Sequence, residues 1–264
     1  MLKFLPIILS FFLMACQNIS VPGYINRNKP SLGIVGGKVV EAHEEVATNT
    51  VSVGVRFYSE AGEVVGSGSC SGVIISKRAV LTAAHCFIGK NLVYSKVKSW
   101  VTFGRDLNDK SKYVSKWSEG FISHPEYRND KNKDLAVVVL KEDVPSGYQP
   151  VPILKDQDVL GIDTYVLVAG FGVSNEVPLV SRNQLRSATL QISMIWSREV
   201  ELKNSDTTGT CMGDSGGPVF IDSYGSLVLW GVIKSGEGLN GKKCNGVGYV
   251  TPIYSEMSFL APYL

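Results

Sequence analysis

Residues 51–57, Val-Ser-Val-Gly-Val-Arg-Phe, place an apolar side chain at every second position. Val51, Val53, Val55 and Phe57 alternate with Ser52, Gly54 and Arg56, the period of a half-buried β-strand. Short apolar runs recur outward from it at Val73–Ile75, Leu135–Leu140, Tyr165–Val168, Val219–Ile221 and Leu227–Ile233, separated by Gly, Asn, Asp and Ser clusters. Helical periodicity is nearly absent until the last ten or so residues. These signals define an all-β chain, sandwich or barrel, with a short C-terminal helix. The stretch VPSGYQPVPIL (144–154) reads as a connector dividing residues 34–264 into near-equal halves, about 34–145 and 146–264. There is no repeat of fixed length and no low-complexity tract.

With 264 residues, 44% of them hydrophobic, the chain can bury a large core. Its formal net charge of +2 comes from the front, where Lys3, Arg27 and Lys29 stand without an acidic residue. Of the 26 basic and 24 acidic side chains, 23 and 24 therefore fall from Ile34 onward. A body so balanced has no general attraction for nucleic acid. The lysines at 96, 98, 110, 112 and 116 read as a solvated face. No Cys/His cluster has metal-ligand spacing, and neither a metal nor a cofactor is expected.

The leader MLKFLPIILSFFLMAC has one positive charge, an apolar run and a small Ala15, which reads as a secretory signal peptide over 1–15. Its ending, Leu13-Met14-Ala15-Cys16, resembles the lipobox of bacterial lipoproteins, which implies a lipid on Cys16. That assignment also accounts for the odd one of five cysteines. The other four, Cys70, Cys86, Cys211 and Cys244, lie beyond the export signal, where disulfides persist. Residues 16–33, polar and bearing Pro22, Gly23, Pro30 and Gly33, form a linker or propeptide.

Three segments carry chemistry. LTAAHCF (81–87) holds His85, KDLAVVVL (133–140) puts Asp134 before an apolar strand, and GTCMGDSGGPVF (209–220) puts Ser215 in a glycine-dense turn. A serine hydroxyl needs a base to become a nucleophile, and N–H donors to hold the oxyanion formed when it attacks a carbonyl. Gly213, Gly216 and Gly217 allow backbone angles that let such donors converge. Taken singly, each segment has a plainer reading: Asp-Ser-Gly-Gly is ordinary turn chemistry, and His85 could be structural like His43 or His124. The set in the order His, Asp, Ser points to an activated nucleophile.

The sequence resembles the chymotrypsin-like serine proteases of the trypsin superfamily from Ile34 to about Leu260. The resemblance rests on IVGG (34–37), Cys70-Ser71-Gly72, TAAHC (82–86), HPEY (124–127), DLA (134–136), GFG (170–172) and GDSGGP (213–218). It implies two six-stranded antiparallel β-barrels with the active site between them, a protease domain over 34–264, and protein or peptide substrates. It further implies Ser215 as nucleophile, His85 as base and then acid, Asp134 as the group orienting the imidazole, and the N–H groups of Gly213 and Ser215 as the oxyanion hole. Asp130 and Asp143 lack the D-L-A context. The implied disulfides are Cys70–Cys86 and Cys211–Cys244.

The resemblance also gives the stretch SLGIVGG (31–37) a meaning beyond an interior turn. Cleavage after Gly33 by another protease would free the Ile34 amine to pair with Asp214, completing the turn of a zymogen. If Cys16 carries a lipid, the same cut releases a monomeric catalytic domain from the bacterial envelope. Gly209, where the family places the pocket floor, argues against selection for Lys or Arg. Thr210, Gly236 and Gly248 flank an open pocket, and an apolar or aromatic preference is inferred. Lys234 departs from the family pattern; facing the pocket, it would favour acidic side chains instead. The alternatives to an endopeptidase are a silent binding protein on the same fold and an esterase using the same triad.

Overall fold

The computed structural model describes residues 34–154, 160–175, 180–181, 183–204, 208–238 and 244–264. The expected signal peptide, Cys16 and the 16–33 linker lie outside these. The first barrel closes in the order β2-β3-β4-β7-β6-β5. Its strands are β2 (Thr50–Tyr58), β3 (Val64–Ser76), β4 (Ala79–Thr82), β5 (Lys96–Phe103), β6 (Val114–Ser123) and β7 (Ala136–Leu140). A two-residue β1 (Lys38–Val39) precedes them but belongs elsewhere: it pairs with a strand of the second barrel, Lys38 opposite Ser187.

The alternation that begins the barrel is real on its inner face, where Val51, Val53 and Val55 are fully buried. The outer face of β2 is not left to water as a half-buried strand would be. A Cβ at Gly54 would lie 2.1 Å from the Trp100 ring, so the indole of the adjacent strand closes over that glycine. The lysine-rich stretch proves to hold two barrel strands, with Lys110 and Lys112 on the 3-10 turn between them. Lys96 and Lys98 point out from β5 while Ser99, Val101 and Phe103 are buried, and Lys116 on β6 binds Glu142. Polar residues at inward positions such as Ser99 had masked the period.

The second barrel contains β8 (Tyr165–Gly170), β11 (Arg186–Ile195), β12 (Val200–Lys203), β13 (Pro218–Ser223), β14 (Ser226–Gly238) and β15 (Asn245–Pro252). They run β11-β12-β15-β14-β13-β8, and the pairing of β8 with β11 closes the ring. A small pair, β9 (Val173–Asn175) and β10 (Val180–Ser181), stands beside it. Closure leaves neither barrel a long free edge.

Among the described residues, three large apolar clusters hold this together, with a small fourth of Val35, Val173, Cys211 and Cys244. One fills each barrel, and the third lies between them, joining Val73, Leu81, Leu135 and Val137 of the first to Ala169, Phe171, Phe220, Leu229 and Val232 of the second. Each such buried Val, Leu or Phe side chain contributes roughly 1.5–3 kcal/mol. The inter-barrel cluster therefore fixes how the two halves, and the loops at their junction, face one another. The C-terminal helix joins in. Leu260, at the end of the short α-helix Met257–Leu260, is buried in that same cluster. Glu256, just before it, binds His124 at 3.1 Å and Lys133 at 3.3 Å. These contacts clamp the ends of the loop that delivers Asp134. No described helix is long and apolar enough to cross a membrane.

Candidate active site

His85 sits on a single 3-10 turn, Ala84–Phe87, directly after β4, and the Cys70–Cys86 disulfide pins that turn to β3. Asp134 lies just before β7 and is almost wholly buried. One of its carboxylate oxygens accepts the His85 backbone N–H at 2.8 Å, and the other meets His85 Nδ1 at 2.6 Å. A carboxylate held by two bonds to the same residue fixes both the position of the turn and the direction of the ring. It also keeps the imidazole proton on Nδ1, so Nε2 carries the lone pair of a base.

Ser215 comes from the other barrel, its loop tied to β3 beside the His85 turn, and among the described residues its hydroxyl makes no hydrogen bond to His85. The Ser215 carbonyl accepts the Ser71 N–H at 2.9 Å, and Ser71 neighbours Cys70, whose disulfide partner neighbours His85. The Ser215 hydroxyl donates to the Lys234 carbonyl at 3.3 Å. Close approach is possible because Gly216 has no side chain: a Cβ there would lie 2.0 Å from Thr82 Oγ1, and its φ of +83° suits glycine. Gly213 likewise has φ +93°. Among the described residues, the N–H groups of Gly213 and Ser215 meet no acceptor, so two backbone donors stand free beside the hydroxyl.

Asp214 points the other way, into the protein. It is fully buried and accepts the N–H groups of Gly172 and Cys211, each at 2.9 Å. Burial pushes its carboxyl up to about 8, although those two donors and the charge of Arg186 pull it down. A Cβ on Gly172 would come within 2.5 Å of this carboxylate, which explains the glycine of the GFG motif. The Ile34 side chain is buried with Val166, Val168 and Val219 of the second barrel. Val35 N–H donates to Gly209 O at 2.9 Å, and Gly36 N–H to Ser174 O at 3.1 Å.

The remaining candidates sort themselves by their partners. His124 is buried; its Nδ1 accepts the Glu126 N–H at 3.2 Å, and its Nε2 faces Glu256, so it is a structural group, with burial pushing its basicity down. His43 is exposed. Asp130 pairs with Arg198, and Asp143 is exposed. Lys234 is taken by Glu199 and, at 2.8 Å, by Asn132. Its ammonium already has a counter-ion, so an acidic preference is not built on it. Cys70, His85 and Cys86 offer ligand atoms within 4.8 Å of one another, but the two sulfurs are bonded together and supply no thiolate. The second disulfide joins Cys211 and Cys244, with Cα atoms 5.1 Å apart.

Two residues had no signal in the sequence. Ser71 is buried, and its hydroxyl binds Gly213 O and Phe171 N, each at 2.9 Å. Asn204, just past β12, packs under Gly209: a Cβ on that glycine would fall 2.4 Å from Asn204 Cγ. Thr210, Gly236 and Gly248 meet at the same spot, since the Thr210 hydroxyl lies 2.9 and 2.8 Å from where those glycines would carry a Cβ.

Residues 34–259 match the family described as Trypsin, and the chain belongs to that family of serine proteases. Among similar proteins, chymotrypsin of Phaedon cochleariae is 28% identical over 220 residues, covering 75% of this chain and 75% of that protein. Atrial natriuretic peptide-converting enzyme of Homo sapiens is 28% identical over 216 residues, 74% of this chain. Urokinase-type plasminogen activator of Gallus gallus is 27% identical over 207 residues, 67% of this chain. The matched region spans only 20% of the human enzyme and 47% of the avian one.

Proposed function

We propose that the protein is an exported serine endopeptidase, secreted or tethered by a lipid on Cys16, that hydrolyses peptide bonds through an acyl-enzyme. The observation that carries this reading is the pair of hydrogen bonds between Asp134 and His85, on a turn that β3 ties to the Ser215 loop. His85 Nε2 takes the Ser215 proton as Oγ attacks the substrate carbonyl. The N–H groups of Gly213 and Ser215 receive the oxyanion, and His85 returns the proton to the leaving amine. Water then repeats the sequence on the ester. Asp134 keeps the ring oriented and stabilises its charged form.

Activation by cleavage between Gly33 and Ile34 belongs to the same proposal. A fully buried carboxyl is pushed to about 8 because the Arg186 charge and two backbone donors offset its burial only in part, so a cation brought closer would stabilise it. Ile34 is already packed in the second barrel, with Val35 bridged to Gly209 six residues before Ser215. These contacts support pairing of a freed Ile34 amine with Asp214. The activator is an unknown protease. With Cys16 lipidated, the cut would also release the catalytic domain, which acts as a monomer on protein or peptide substrates.

The test is labelling with a fluorophosphonate probe, followed by mass determination of the labelled chain's N-terminus. Label on a soluble chain beginning at Ile34 is the expected outcome. Label confined to a chain beginning at Cys16 rejects the activation step, and no label on either rejects the enzyme.

A further inference from the structure

Lys234 stands at an irregularity in β14. Ile233 pairs with Val250 and Ser235 with Tyr249, so Lys234 is an extra residue with no partner on β15. A bulge of this kind turns its residue out of the regular ladder and re-aims the side chain. Both ends of Lys234 then reach groups that bear on the reaction. Its carbonyl accepts the Ser215 hydroxyl at 3.3 Å. Its ammonium crosses to the first barrel and donates at 2.8 Å to Oδ1 of Asn132, two residues before Asp134.

The side chain is held in that direction by a ring of contacts. Glu199, on the turn between β11 and β12, supplies the counter-ion. Arg198, next to it, pairs with Asp130, and Asp130 Oδ1 accepts the Asn132 N–H at 3.0 Å. The Lys234 and Glu199 side chains are only 18% and 21% exposed, so water and salt screen their pair less than one on the open surface. The strand at the bulge is in turn fixed to the loop of the nucleophile. Gly216 N–H donates to Ile233 O at 2.7 Å, and Ile233 N–H donates to Gly217 O at 2.8 Å.

We propose that Lys234 is a positioning residue. Given the active site proposed above, on which this inference rests, its ammonium sets where the Ser215 loop lies relative to Asp134 and His85. The nucleophile and its base come from different barrels, so their separation depends on contacts that cross between the two. Lys234 makes such a contact with one residue, its backbone on the serine and its side chain on the segment that delivers the aspartate. A misplacement of about 1 Å between reacting groups can cost about a hundredfold in rate. The role needs no contact with substrate, because Glu199 and Asn132 already engage the ammonium.

The test is steady-state kinetics and the rate of fluorophosphonate labelling on the active chain, at a temperature where every variant is folded. Lys234→Met keeps most of the length without the charge. Its kcat and labelling rate should each fall by about 10–30-fold, with KM within about threefold of the parent. Lys234→Arg keeps the cation and should restore kcat to within about threefold. Asn132→Ala removes the acceptor but leaves the backbone N–H on Asp130. It should cost kcat about as much as Lys234→Met, and the double variant no more than either, because both act through one bond. Lys116→Met is the control for lost stability: Lys116 binds Glu142 and the Asp143 carbonyl within the first barrel, and its loss should leave kcat unchanged. Should Lys234→Met fail to fold, Asn132→Ala carries the test. An unchanged kcat in either variant overturns the assignment, and so does a higher KM with kcat intact, which would make Lys234 a substrate contact. An equal fall in Lys116→Met overturns it in favour of stability alone. A parent that takes up no label overturns the catalytic reading beneath it.

Discussion

The Ser71 hydroxyl donates to Gly213 O at 2.9 Å and accepts the Phe171 N–H at the same distance, so one buried side chain of the first barrel holds two segments of the second. Ser71 adds its own N–H to Ser215 O, and its carbonyl accepts Thr82 Oγ1 at 2.7 Å. The peptide following Gly213 is thereby fixed from outside its own loop. Ser71→Ala removes one donor and leaves the Gly213 carbonyl and the Phe171 N–H short of a partner, a cost of about 1–3 kcal/mol. The expected result is a fall of about tenfold in kcat with KM within twofold, because the oxyanion donors shift while substrate binding elsewhere is kept. Ser99→Ala is the control. Its hydroxyl, 2.7 Å from that of Ser118, is also buried but lies in the first barrel wall. An equal loss of kcat in both variants would show that Ser71 acts through stability alone.

Asp134→Asn keeps the shape of the side chain but replaces an acceptor with a group that also donates. Oδ1 must still receive the His85 backbone N–H, so the new NH2 falls opposite Nδ1 and drives the ring proton to Nε2. A base without a lone pair toward Ser215 cannot act. Loss of kcat by about 10³–10⁴-fold is expected, with little change in the thermal midpoint. Steady-state kinetics beside a melting curve decide it; a loss under tenfold means that Asp134 does not orient the ring.

How much of this was legible in the sequence depends on the range of the contact. His85, Asp134 and Ser215 stand in short segments whose local chemistry is distinctive, and the apolar runs from Val73 to Ile233 mark strands because their period is local too. Ser71 and Gly213 are 142 residues apart, and nothing in Cys-Ser-Gly announces a hydroxyl aimed across two barrels. Asn204 acquires meaning only when β12 lies beside β15, with Leu202 opposite Gly248. The strand β5 was hidden because Ser99 faces inward, where the pattern leads one to expect an apolar residue.

Lys234 follows the same lesson. From its place beside the pocket it reads as a possible selector of acidic substrates, yet Glu199 and Asn132 already hold its ammonium. The link joins the turn between β11 and β12 to the loop before Asp134, and thus one barrel to the other. Lys234→Met is expected to lower stability by about 1–2 kcal/mol, as the half-buried Glu199 loses its cation. Selectivity between Glu and Gln before the cut bond should stay within a factor of about three, since a cation so engaged was not reading that side chain. Urea melts and paired substrates measure the two effects, and a large gain or loss of Glu cleavage would return Lys234 to the pocket.

Asp214 gives a stability signature that separates the cut from the uncut chain. Burial sets its carboxyl at about 8 against an ordinary 3.8. Between those values the folded protein holds a proton that the unfolded chain has released, so stability falls as pH rises through the window. His124 works in the opposite direction, because its buried ring has its pKa lowered, but its contribution is complete above roughly pH 6.5. From about pH 6.5 to 8 the uncut chain should therefore lose thermal stability with a slope that Asp214→Asn removes. If activation proceeds as proposed, the Ile34 ammonium of the cut chain meets the carboxylate, its proton leaves at a lower pH, and the slope should flatten or vanish. Melting temperature against pH for the three proteins measures this. Equal slopes in the cut and uncut chains would mean that the amine never reaches Asp214, and activation by insertion would have to be abandoned.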